Sequence, residues 1–175
     1  MDFQNEHPQR KYTRLKGYDY SSCGTYFVTI CTHQRQCILS RVVCEKGENV
    51  DLLSCVKVEY SPIGNIALNY LKAIERKYPF VKVEKYMVMP NHIHLVLRFE
   101  EKASENLRRP TLMDVVCFYK TMISRECKGQ NIDGKIFQPS FYEHIVRRYE
   151  DRIEIFNYIS KNPYRWYLKG KYFEK

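Results

Sequence analysis

Residues Met87–Phe99 read Met-Val-Met-Pro-Asn-His-Ile-His-Leu-Val-Leu-Arg-Phe, and this run constrains the fold more than any other. Ile93, Leu95, Leu97 and Phe99 recur at every second position, the period of a strand with one face in a core. His92, His94, Val96 and Arg98 take the opposite face. Two imidazoles two residues apart on one face are separated by about two strand rises of roughly 3.3 Å each, close enough to share one metal ion. Pro90-Asn91 is a turn signal, which puts the pair at the strand's entrance, within reach of solvent and substrate. Spacing on its own also fits two surface histidines on an edge strand.

A chain of 175 residues suits one domain spanning 1–175, and 44% hydrophobic with 28% charged residues describes a globular protein. No apolar run approaches the roughly 18 residues of a membrane span, and the opening Met-Asp-Phe-Gln-Asn-Glu is no signal peptide, so a cytoplasmic location and no membrane partner are expected. The formal charge of +9 favours a polyanionic partner, nucleic acid first, and 15 tyrosines and 9 phenylalanines offer surfaces on which bases stack. The seven cysteines contain no C-x-x-C and their odd number cannot pair completely. They are expected to be reduced, several of them buried, with a zinc held by Cys37 and Cys44 as a minor alternative.

Residues 1–9 are polar and expected to be flexible. Residues 10–22 interleave Arg10, Lys11, Arg14 and Lys16 with tyrosines, which suits a phosphate-contacting arm, and residues 164–175 form a second basic and aromatic arm. Tyr26–Thr32 is β-branched and aromatic and predicts a central strand. Residues 33–60 are irregular, with Val42-Val43 and Leu52-Leu53 hinting at a short hairpin. Ser61-Pro62 starts a helix whose apolar positions run from Ile63 to Ile74. Val81–Met89 and the histidine strand should pair as an antiparallel hairpin. Thr111 with Asp114 is a capping-box pattern opening a second helix. A short strand around His144–Val146 follows, and a last helix runs from about Tyr149 to Asn162, where Pro163 should end it. Strand, helix, strand, strand, helix, strand is the order of a ferredoxin-like, RRM-like α+β antiparallel sheet, with a C-terminal helix added.

That last helix carries Tyr158 and Asn162, which at i and i+4 share a face. A phenol can attack, and an amide oxygen can ligate. The same pair also fits packing plus an asparagine that ends a helix.

Four blocks in order turn these fragments into a resemblance. They are Arg14-Leu15-Lys16-Gly17-Tyr18-Asp19-Tyr20 with Gly24–Thr32, Val88-Met89-Pro90-Asn91-His92-Ile93-His94, Phe137–Arg147, and Tyr158-Ile159-Ser160-Lys161-Asn162-Pro163. Together they resemble the REP-associated tyrosine transposases, relatives of the single-tyrosine HUH transposases of bacterial insertion sequences. The resemblance implies cleavage and rejoining of single-stranded, hairpin-bearing DNA, with Tyr158 as catalytic nucleophile leaving a 5′-phosphotyrosine. It implies a divalent ion, Mg²⁺ or Mn²⁺, as cofactor on His92, His94 and Asn162, and a bacterial, nucleoid-associated location. Phe137 stands where the family commonly has Trp, and Asn162 where the insertion-sequence relatives have the longer Gln. Arg10, Lys11, Arg14, Lys16, Arg147 and Arg148 are the candidate phosphate contacts. Relatives act as monomers or homodimers. A catalytically idle hairpin-binding protein and an RNA-binding ferredoxin-like module are the competing readings.

Overall fold

The computed structural model of the chain describes residues 14–44, 55–101 and 109–173. Arg10 and Lys11 lie outside them. Six strands and three helices are present among these residues: β1 Gly24–Cys31, β2 Ser40–Cys44, β3 Val56–Tyr60, α1 Pro62–Lys77, β4 Val81–Met89, β5 His92–Phe99, α2 Leu112–Gly129, β6 Tyr142–Val146 and α3 Tyr149–Phe173. The main sheet is antiparallel in the order β4-β5-β1-β6. Omitting the β2–β3 excursion, that is the ferredoxin-like order, with the histidine strand and β1 in the centre. No helix among the described residues is long and apolar enough to cross a membrane.

Alternation along the central strands decides which layer covers which face. Tyr26, Val28, Ile30, Ile93, Leu95 and Leu97 point to one side, where they meet Ile66, Leu71 and Ile74 of α1 and Val115, Tyr119 and Ile123 of α2. This is the core. Phe27, Thr29, His92, His94 and Arg98 point to the other side, which α3 covers. Both core helices begin as their caps dictate. Ser61 Oγ accepts from Gly64 N at 3.1 Å with Pro62 at the first position, and Thr111 and Asp114 close a reciprocal capping box.

Gly64 marks the tightest contact of α1. A Cβ built there would lie 2.0 Å from the backbone oxygen of Leu39, a group fixed by Ser61 N at 3.0 Å. Gly64→Ala should therefore force the helix off this segment and destabilise the protein by about 3 kcal/mol, read as a lowered denaturation midpoint. An unchanged midpoint would show that the segment yields.

Three expectations require correction. Residues 33–60 are not irregular throughout: β2 and β3 pair antiparallel from Ser40–Tyr60 to Cys44–Val56, while Leu52-Leu53, read as a hint of the second strand, lies outside the described residues. Cys44 is disulfide-bonded to Cys55 across that hairpin, which excludes it as a zinc ligand and contradicts fully reduced cysteines. Finally, α3 continues through Pro163 to Phe173, so the described part of 164–175 is helix rather than an arm. Proline removes one helical hydrogen bond, but Asn162 and Pro163 are both buried, and packing of α3 against β3 and β4 outweighs that loss. The described part of 10–22 is likewise folded down: Tyr18, Tyr20 and Tyr26 form an edge-on aromatic cluster, and Leu112 N donates to Tyr20 O.

Candidate active site

The hairpin β4–β5 turns at Pro90-Asn91, and β5 begins on His92 itself. Its partner in β1 at that level is Cys31, and Thr29 lies opposite His94. Both imidazoles are fixed from behind. His92 Nδ1 donates to Asn91 Oδ1 at 2.7 Å, and His94 Nδ1 stands 2.9 Å from the Thr29 hydroxyl. Such outer partners select the tautomer whose other nitrogen is free to ligate. The two Nε2 atoms then face each other 3.0 Å apart.

From the opposite layer α3 brings Asn162, whose amide nitrogen donates to His94 Nε2 at 3.2 Å. That bond marks His94 Nε2 as an acceptor, so its proton is on Nδ1, toward Thr29. With each Nδ1 engaged behind its ring, the two Nε2 atoms 3.0 Å apart supply a pair of nitrogen donors to one point. The residues present therefore fit a cation, with an amide whose oxygen reaches the same point after a half turn about its Cγ bond. Among the described residues no three His, Cys, Asp or Glu cluster as a metal-binding group, so the two imidazoles are its only strong ligands.

Burial holds both rings neutral: His92 is 9% and His94 3% exposed. Desolvation is the main cause that lowers His92 from 6.5 to about 4, with the Arg35 charge adding to it. His94 is lowered to about 3, again by burial first and by His92 second. In metal-free protein the sign follows. Between pH 6.5 and about 4 the unfolded chain binds protons that the folded chain refuses, so stability is full above pH 6.5 and falls below it. The expected slope is up to about 1.4 kcal/mol per pH unit for each histidine. Denaturant titrations at successive pH values should show this slope in the wild type and a flatter profile in the doubly substituted His92→Gln, His94→Gln protein.

Tyr158 is on the same face of α3 as Asn162, one turn earlier. Its ring lies 5.4 Å from that of His94 and 6.1 Å from Phe27, and its side is open enough to leave it 38% exposed. One chain thus brings Tyr158, His92, His94 and Asn162 together. Because α3 continues past Pro163, two further residues join them that the sequence reading left in a tail: the Arg165 guanidinium sits 5.6 Å over the Tyr158 ring, and Trp166 lies 6.2 Å from the His92 ring. Positions 158, 162, 165, 166 and 169 form one stripe at helical spacing, a signal hidden by reading the proline as a stop. Arg152, nearly three turns before Asn162, fixes α3 to the sheet through a two-pronged pair with Glu84 at 3.0 and 3.1 Å.

The basic candidates lie elsewhere. Arg14 is bonded to Glu143 and stacked 3.8 Å over Phe141, and Arg148 pairs with Asp151 at 2.8 Å. Arg14 and Arg147 line one cavity of about 480 Å³. Val146, next to Arg147, pairs with Thr25, six residues along β1 from Cys31 and four from Thr29, so the Arg147 end of this cavity lies about 20 Å along the sheet from His92 and about 13 Å from His94. Lys16 is exposed.

No protein-family model matches the chain. It is 25% identical over 172 residues to an uncharacterised protein of Haemophilus influenzae, an alignment covering 90% of this chain and 89% of that one. Among solved structures, a REP-associated tyrosine transposase bound to a REP hairpin superimposes with a TM-score of 0.57 at 18% identity, covering 87% of this chain and 73% of that chain. What is shared is the architecture built above, sheet and C-terminal helix together: the chain has the fold of a REP-associated tyrosine transposase.

Proposed function

We propose that this chain is a transposase-type DNA strand transferase of the REP-associated kind, acting on single-stranded, hairpin-bearing DNA through Tyr158. The observation that carries the reading is the delivery of an exposed phenol by α3 to the ring of His94, within one chain. The hairpin held by the structural neighbour suggests the substrate class. The +9 charge suits any such polyanion.

Tyr158 Oη attacks the scissile phosphorus and loses its proton to solvent. The bond from phosphorus to the 3′ oxygen breaks, and that oxygen takes up a proton to become a free hydroxyl. The other DNA end stays on the protein as a 5′-phosphotyrosine. Rejoining reverses this: a 3′-hydroxyl attacks the same phosphorus and the phenol leaves, so no nucleotide energy source is consumed. His92, His94 and Asn162 would hold Mg²⁺ or Mn²⁺, which when bound draws charge from the scissile phosphate. Arg165, 5.6 Å over the Tyr158 ring, would meet the approaching phosphate with a positive charge.

End-labelled hairpin DNA with a single-stranded flank, incubated with the protein and Mn²⁺, should yield a protein–DNA adduct stable on a denaturing gel. Chelation should suppress it. Tight binding with no adduct under either metal would replace this reading with that of a hairpin-binding protein.

A further inference from the structure

We propose that the cavity beside His92 is a slot for one unpaired nucleobase adjoining the scissile phosphate, with Trp166 as its stacking platform. The proposal rests on the DNA reading above and names what that site grips beyond the phosphate. The cavity, about 550 Å³, is lined by His92, Tyr158, Asn162, Trp166 and Leu168 and by the cations Arg165 and Lys169. That is the size range of a small-ligand pocket.

Its chemistry selects the occupant. The indole of Trp166 is half-buried, and with the Leu168 side chain it supplies a flat apolar wall. The indole is tilted 48° to the His92 ring, so the two rings are not stacked on each other. Two cations, Arg165 and Lys169, line the cavity and no carboxylate does, which disfavours a cationic ligand and favours one carrying negative charge. A flat π-face beside positive charge is the pairing that single-stranded nucleic acid uses, base on ring and phosphate on cation. A paired base cannot use it, because both of its faces are covered in the duplex.

The position gives the slot its consequence. The same side chain of His92 belongs to the ligand set and to the cavity wall, and Tyr158 lines it as well. A base seated on Trp166 therefore fixes the register of the backbone, and so which phosphate meets Tyr158. Trp166 acts here as a positioning residue.

Trp166 is the only tryptophan in the chain, so its emission reports the slot directly. The test uses the full chain carrying Tyr158→Phe, in EDTA, so that no chemistry intervenes. It is titrated with hairpin oligonucleotides whose flank is unpaired, abasic, or annealed to a complement, following tryptophan emission and oligonucleotide anisotropy together. The unpaired flank should quench the emission, and the abasic and annealed flanks should not. Trp166→Ala should weaken binding of the unpaired flank by about 5- to 100-fold, and Trp166→Phe, which keeps a π-face, should restore most of it. Removing the base and the indole together should cost no more than removing either alone. Binding seen by anisotropy with unchanged emission, and equal affinity of wild type and Trp166→Ala, would overturn the slot while leaving the DNA reading intact. Absence of binding to every oligonucleotide would overturn the DNA reading and the slot with it.

Discussion

Tyr158→Phe should abolish the covalent adduct and lower strand cleavage by at least about 10⁴-fold, while hairpin affinity changes less than about 3-fold. The substitution deletes one oxygen and leaves the ring that meets His94 and Phe27 at 5.4 and 6.1 Å, so packing of α3 is retained. The size of the effect follows from the chemistry: without the phenol oxygen there is no group on this face of α3 to carry the DNA end. Tyr142 on β6 and Tyr149, Tyr164 and Tyr167 on α3 are other candidate tyrosines, and none has an amide four residues later. Quantitative adduct formation by the phenylalanine protein would rule out Tyr158 and send the search to one of these. A fall of only a few-fold would mean that a water molecule rather than the protein performs the attack.

The second large effect is expected at the histidines. Replacing His92 and His94 together with alanine should eliminate tight Mn²⁺ binding and reduce cleavage by about 10³-fold, the several kcal/mol that a cation contributes to a phosphoryl transition state. Asn162→Ala should be milder, about 10-fold, because a neutral amide is the weakest member of the set. Isothermal titration with Mn²⁺ separates the two effects from general damage, since the wild-type protein should bind one ion and the double variant none. The contrast has a structural basis. His94 is held by Thr29 at 2.9 Å and His92 by Asn91 at 2.7 Å, whereas Asn162 contacts the site through His94 alone at 3.2 Å. Equal Mn²⁺ affinity in wild type and double variant would sink the assignment.

Much of this was legible because local and global signals agree. The alternation of Ile93, Leu95, Leu97 and Phe99 could be satisfied only by a strand with one buried face, and the caps at Ser61 and Thr111 fixed two helix starts to the residue. What escaped reading depends on partners remote in sequence. Thr29 orients His94 across 65 residues, and no pattern within either strand reveals it. Arg14 reads as a phosphate contact but is committed to Glu143 and Phe141, a pairing that exists only once β6 lies beside β1. Pro163 is the instructive case. Proline statistics describe an average helix, and here a buried Asn162–Pro163 step is kept helical by the sheet and hairpin beneath it. That one misjudged boundary hid Arg165 and Trp166 from the site.

The two halves of the site are built on elements of unlike mechanical character. His92 and His94 belong to a strand bonded on both flanks, to β4 and to β1, so neither can shift without breaking a ladder. Tyr158 belongs to a helix that no ladder joins to the sheet; its charged fastening is Arg152 on Glu84, six residues and about 9 Å upstream. Under the proposed chemistry the DNA end would be carried by a helix held through side chains alone, and the ion by a strand held through its backbone.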